Sequence, residues 1–184
     1  MTLLEEVAHV QATADLLYDG QQVNEAIDSM AKKINLLLED RNPLFLCVMN
    51  GGMVVGSKLL TRLTMPLTVD AINASRYQNK TTGDQIEWLL QPATPLRDRT
   101  VLVVDDILDA GITLDTIVNW CLEQGATSVY TAVLVDKMTG AEKPIAADFV
   151  GLQVENRYLF GCGMDYKGYL RNLPGIYACK DDQG

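Results

Sequence analysis

Histidine is almost missing from this chain: His9 is the only one among 184 residues. A Ser-His-Asp triad, an HExxH helix and a His-rich zinc site are therefore excluded, because each places imidazole at the chemistry. Positive charge is also scarce, with 15 Lys and Arg against 24 Asp and Glu, a net charge of -9. A nonspecific nucleic-acid binder needs a basic face, so no nucleic-acid partner is expected. An anionic ligand would have to be met by local cations or a metal. The four cysteines, Cys47, Cys121, Cys162 and Cys179, include no CxxC pair, and two of them fall in apolar runs. They read as reduced and buried, the pattern of an intracellular, cytoplasmic protein. No run of about 18 apolar residues is present, so no membrane span is expected. The acidic opening MTLLEEVAHV lacks the basic start and apolar stretch of a signal peptide.

What is present is an ordinary globular composition, 48% hydrophobic and 21% charged, at a length that points to one domain. Val23, Ile27, Met30, Ile34, Leu37 and Leu38 recur at helical spacing over 21–39. Residues 44–49, LFLCVM, read as a buried strand broken by Asn50-Gly51-Gly52, with a helix over 53–63 and a strand over 67–72. A second buried strand covers 101–104. Leu114, Ile117, Val118, Cys121 and Leu122 give a helix face closed by Gly125, and 128–135 is a further strand. Short strands follow near 148–154, 158–161 and 175–179. This alternation predicts an α/β fold with a parallel sheet. Residues 73–87, NASRYQNKTTGDQIE, carry no buried stripe, and either a mobile lid or a solvated hairpin fits them.

The stretch VLVVDDILDAGITL, residues 101–114, places Asp105, Asp106 and Asp109 within five positions. Ligands of open α/β sheets lie beyond the carboxyl ends of the strands. The segment Asp109 to Thr113 then leads into a helix start, where free N–H groups and the helix dipole favour a phosphate. Other phosphate motifs do not fit. GGMVVGSK at 51–58 has Lys58 one position out of register for a Walker A loop, and GCGMDY at 161–166 lacks the last Gly of GxGxxG.

VLVVDDILDAGITL resembles the phosphoribosyl-pyrophosphate motif of the type I phosphoribosyltransferases. VDK at 135–137, DFVG at 148–151 and YLFGCGMDYKGYLRNLPGIY at 158–177 are similar to its hypoxanthine-guanine branch. The resemblance implies a central, mostly parallel sheet flanked by helices, a core over about 35–150, a hood from about 1–20 and 150–184, and a mobile lid over about 73–88. It implies purine salvage, in which hypoxanthine or guanine, with xanthine a further candidate, displaces pyrophosphate to give IMP or GMP. Magnesium is the implied cofactor, and a homo-oligomer, dimer or tetramer, the implied assembly.

Residue by residue, the resemblance puts Asp105 and Asp106 on the ribose hydroxyls and, through water, on magnesium. Asp165 is a second metal contact at the purine end. Asp109, Ala110, Gly111, Ile112 and Thr113 hold the 5′-phosphate, and Asp109 is the general base or electrostatic stabiliser. Asn50, Gly51, Arg76, Tyr77 and Arg171 bind pyrophosphate. Lys137 donates to the 6-oxo group, Tyr158 stacks on the base, and Leu159 offers its backbone carbonyl. The chain departs from the pattern at Asn50, where Lys is frequent and a cis bond is often found. It departs again at Ala110, where a hydroxyl residue is frequent, and after Lys137, where an Arg is often found. Arg76 is a candidate to replace the charge missing at Asn50. Two other readings stand beside this one: a regulator of the same fold, and a phosphoacceptor receiver domain.

Overall fold

A computed structural model of the chain describes residues 1–77 and 85–180. Two helices open with reciprocal capping. In α1, Leu3–Thr13, the Thr2 hydroxyl accepts from the Glu5 amide while Glu5 reaches back to the Thr2 N–H. Asp19 and Gln22 do the same for α2, Gly20–Leu38, and each pair satisfies two donors that a helix start leaves open. The stripe of α2 buries Val23, Ile27, Met30, Ala31, Ile34 and Leu38. Leu37, expected in the stripe, stands at its margin and is 48% exposed.

Six strands form the main sheet: β2 (Leu44–Val48), β3 (Thr68–Tyr77), β4 (Gln85–Leu90), β5 (Thr100–Leu108), β6 (Ser128–Met138) and β7 (Phe149–Glu155), in the order β4-β3-β2-β5-β6-β7. All neighbours are parallel except the edge pair β3–β4. The central strands read as continuous apolar runs because both faces are covered. Leu102 and Val104 face the core that α2 shares with α3 (Gly52–Leu60). Val101 and Val103 face the core under α4, Ile112–Glu123. Leu114, Ile117 and Cys121 are the buried face of α4, whereas Leu122 is exposed. Gly125, at φ 90°, ends that helix: its N–H reaches Leu122 O and the Ala126 N–H reaches Cys121 O, the paired bonds of a left-handed helix cap.

A second, three-stranded antiparallel sheet joins β1 (Asp15–Tyr18), β9 (Ile176–Ala178) and β8 (Leu159–Phe160), so the two ends of the chain build the hood together. The helix α1 and the strand β1 were not among the expected elements. Their only apolar signal is short, and Thr2-x-x-Glu5 was the cue. In the polar stretch 73–87, β3 runs on to Tyr77 and pairs with β4, Ala74 opposite Trp88. The flanks are thus a hairpin, anchored by Trp88 against Trp120 at 5.2 Å. Residues 78–84, the centre of the expected lid, lie outside the described residues.

Candidate active site

Strand order reverses between β2 and β5. The chain leaves β2 through α3 toward β3, but leaves β5 through α4 toward β6. The two helices cover opposite faces, so a crevice opens between the two strand ends. The register shows where. Pairing of β2 with β5 stops at Cys47 opposite Val104, while β5 continues along β6 to Leu108 opposite Asp136. Asp105 and Asp106 were expected after the strand ends. They instead lie within it, at the point where β5 parts from β2.

The crevice is a cleft of about 470 Å³. It is lined by Asn50, Gly51, Asp105, Asp106, Asp109, Ala110, Gly111, Ile112, Thr113, Lys137, Tyr158, Leu159, Asp165 and Arg171. Every candidate residue is therefore gathered there except Arg76 and Tyr77. The backbones of those two end β3; their side chains lie outside what is described, and so does any compensation of Asn50 by Arg76.

At the end expected to hold phosphate, Gly111 has φ 82° and caps α4 without any side-chain hydrogen bond. The first-turn amides are thus left for a ligand, and the first intrahelical bond runs from the Asp115 N–H to Gly111 O at 2.9 Å. A Cβ on residue 111 would also press Pro144 and Lys143 at 3.3 and 3.4 Å.

The acidic pair is held in protein. Burial, then the charge of Asp106, raises the Asp105 carboxyl well above the ordinary range. Burial also raises Asp106, against the opposing pull of its hydrogen bond with Asp105 and of the Arg171 charge. Two adjacent carboxylates in that condition suit a hard cation that takes one or two carboxylates, water and substrate oxygens. Among the described residues no three His, Cys, Asp or Glu come together as a metal-binding group. Asp165 stands apart: its Oδ1 pairs with Arg171 at 2.6 Å and its Oδ2 accepts from the Gly168 N–H at 2.6 Å. Asp165 would have to give up its pair with Arg171 to hold a metal.

The wall opposite the acidic pair is a close backbone contact. The cis peptide bond is Met49–Asn50, one bond before Asn50–Gly51, the bond for which the resemblance raised a cis form. A Cβ on Gly51 would lie 2.2 Å from the Asp106 carboxylate, and one on Gly163 would lie 2.2 Å from Gly51 O. Arg171 braces the same wall, its Nη1 donating to Gly163 O at 2.6 Å.

At the far end, Lys137 Nζ donates to Asp109 Oδ2 at 3.1 Å. The Lys137 side chain is 14% exposed and that of Asp109 55%, so the pair bridges the β6 end and the mouth of the loop that leads into α4. Sequence reasoning missed Lys143. Its half-buried ammonium donates to Leu108 O (2.8 Å), Lys137 O (2.7 Å) and Asp136 Oδ1 (2.7 Å), tying the ends of β5 and β6 together. A loop lysine six residues after Lys137 carries no periodic signal that could have marked it.

Residues 13–167 match the phosphoribosyl transferase domain. The chain belongs to the phosphoribosyl transferase domain family. Among members it resembles, the hypoxanthine-guanine-xanthine phosphoribosyltransferase of Tritrichomonas foetus is 31% identical over 90% of this chain and 91% of that protein. The hypoxanthine-guanine phosphoribosyltransferase of Bacillus subtilis is 28% identical over 90% of this chain and 92% of its own. A solved structure of a hypoxanthine-guanine-xanthine phosphoribosyltransferase, 31% identical, aligns with a TM-score of 0.81 over 91% of this chain and 97% of that one.

Proposed function

We propose that the chain is a purine-salvage transferase. It joins hypoxanthine or guanine, and xanthine as a further acceptor, to the phosphoribosyl group of phosphoribosyl pyrophosphate, giving IMP or GMP and pyrophosphate. One observation carries the reading: an uncapped helix start, an acidic pair, the Lys137–Asp109 pair and Tyr158 line one cleft, groups suited to a phosphate, a ribose and a base.

Gly111 and the amides of Ile112 and Thr113, with Asp109 and Ala110, hold the 5′-phosphate. Asp105 and Asp106 accept from the ribose hydroxyls. Asn50, Gly51 and Arg171, with Arg76 and Tyr77 from the end of β3, take the pyrophosphate. Tyr158 stacks on the purine, the Leu159 carbonyl meets its exocyclic group, Asp165 closes that end, and Lys137 donates to the 6-oxo oxygen. A 6-amino group would face Lys137 as a second donor, an unmatched polar contact that disfavours adenine.

A bond forms between a purine ring nitrogen and C1′ while the C1′–O bond to pyrophosphate breaks and its electron pair leaves with pyrophosphate. Positive charge grows on the ribose, where the Asp105 and Asp106 carboxylates offset it. Asp109 takes the ring proton as general base. Once Lys137 turns to the 6-oxo oxygen, Asp109 is released from its ion pair. Magnesium, when bound, supplies charge neutralisation of the pyrophosphate; Asp105 and Asp106 are the residues that would hold it, with Asp165 as the second contact. We further read the chain as a cytoplasmic homo-oligomer, dimer or tetramer. Its four free cysteines and the exposed Leu36, Val69, Leu89 and Leu90 support that reading. Among the described residues no helix is long and apolar enough to cross a membrane.

The test is turnover of phosphoribosyl pyrophosphate with magnesium and hypoxanthine, guanine, xanthine or adenine in turn. Nucleotide is expected from the 6-oxopurines and not from adenine, and chelation with EDTA is expected to stop it. No nucleotide from any 6-oxopurine would overturn the reading.

A further inference from the structure

The family match begins at residue 13, so α1 lies almost wholly ahead of it. The helix nevertheless packs on the back of the wall that faces the base. Val7 joins Phe160, Tyr166, Leu170 and Cys179 in a small core separate from the two under the main sheet, with Tyr158 packed at its edge. Glu6, the residue before Val7, accepts from Tyr166 Oη at 2.5 Å and from Lys167 Nζ at 2.6 Å. The Tyr166 ring is buried and meets Tyr158 edge-on, centroids 5.5 Å apart and planes at 73°. Tyr158 in turn lines the cleft. An unbroken line of contacts therefore runs from a surface helix, through Glu6 and Tyr166, to the aromatic residue at the base end of the site.

Each step in that line constrains the next. A buried phenol needs a hydrogen-bond partner, and here the described structure supplies it from 160 residues away in sequence. Lys167, 5.5 Å above the Tyr166 ring, holds the same carboxylate and pins it further. An edge-to-face contact orients both rings, so where Tyr166 sits sets the plane that Tyr158 presents to the cleft. Stacking on a planar base depends on that plane.

We propose that α1 is a positioning element for base binding, with Glu6 setting Tyr166 and Tyr166 setting Tyr158. This rests on the reading of Tyr158 as the residue that stacks on the purine. Its consequence is a split between substrates: loss of the Glu6–Tyr166 bond disturbs the purine end of the cleft and leaves the phosphate loop, some elements away on β5 and α4, as it was.

The experiment uses the full chain with Glu6→Ala, Glu6→Gln and Tyr166→Phe, read by steady-state kinetics and by amide hydrogen exchange. Glu6→Ala and Tyr166→Phe are expected to raise the purine KM about fivefold, with kcat and the phosphoribosyl-pyrophosphate KM within about twofold of wild type. Glu6→Gln, which keeps an acceptor for the phenol, is expected to restore most of that loss. Exchange over 158–169 should quicken in Glu6→Ala while 105–113 stays unchanged. An unchanged purine KM, an equal rise in both KM values, or unchanged exchange over 158–169 would overturn the proposal. The exchange arm needs no turnover. If wild type makes no nucleotide from 6-oxopurines while the exchange coupling is present, the functional reading falls and the mechanical link from Glu6 stands.

Discussion

Replacing Gly163 by alanine tests one of the two closest contacts in the site. Gly163 has φ 107°, and its added Cβ would lie 2.2 Å from Gly51 O, 3.2 Å from Gly51 C and 3.3 Å from Asp106 Cβ. The obstructing atoms are mostly backbone, so no side chain can swing aside. Two costs add: about 1–3 kcal/mol for holding a non-glycine residue at such a φ, and about 1–3 kcal/mol for the overlap. Gly140 provides the control, because it also has a positive φ, 76°, but nothing within 4 Å of the added Cβ. Any entropic gain from restricting the unfolded chain is shared by both variants. The overlap alone should therefore separate them. At about 2–4 °C per kcal/mol for a chain of this size, Gly163→Ala should melt roughly 2–12 °C below Gly140→Ala in a thermal shift or calorimetric assay. Relief of the overlap moves the Asn50-Gly51 loop, so the phosphoribosyl-pyrophosphate KM should rise in Gly163→Ala alone. Two variants that melt within about 1 °C of one another, with equal KM values, would refute the close contact.

Asp109→Asn keeps the shape of the phosphate loop but removes the base, and kcat should fall by about 10²-fold or more while IMP affinity, by calorimetry, is retained; undiminished kcat would assign the proton elsewhere. Lys137→Met should raise the KM for hypoxanthine by about tenfold and narrow its advantage over adenine, measured as a ratio of kcat/KM values; an unchanged ratio would remove Lys137 from base selection. Burial pushes the Cys121 thiol up to about 12 and the Cys162 thiol up to about 11, whereas unfolded thiols ionise near about 8.5. Above that pH the unfolded chain binds fewer protons than the folded one. The stability these thiols contribute is complete below about 8.5 and is lost as pH rises through about 11 for Cys162 and about 12 for Cys121. A urea midpoint that stayed flat between pH 8 and pH 10.5 would contradict this.

The central sheet was legible because its signals are local. LFLCVM and VLVV are uninterrupted apolar runs, which only a strand covered on both faces requires, and Val23 to Leu38 repeat at helical spacing. The turn into α4 was legible for the same reason: an apolar strand, a glycine at the turn and a helix start follow one another within residues 101–114. The ends of β3, β5 and β6 were placed too early, since polar residues in those segments look like loop when their partners are unknown. Asp105 stays in its strand because Val133 pairs with it, 28 residues away.

Sequence alone therefore determined the class of fold, the acidic pair, the glycine turn into α4 and, through the resemblance of its motifs, the chemistry to look for. Those features depend on residues adjacent in the chain. Tertiary structure decided what depends on distant residues meeting: that Lys137 pairs with Asp109 and is tied from behind by Lys143, that Gly163 closes on Gly51, and that Glu6 reaches Tyr166. A hydrogen bond or a close contact needs two groups within a few ångströms: the pairing of β5 with β6 brings residue 109 to 137, and the folding of the hood brings 163 to 51 and 6 to 166.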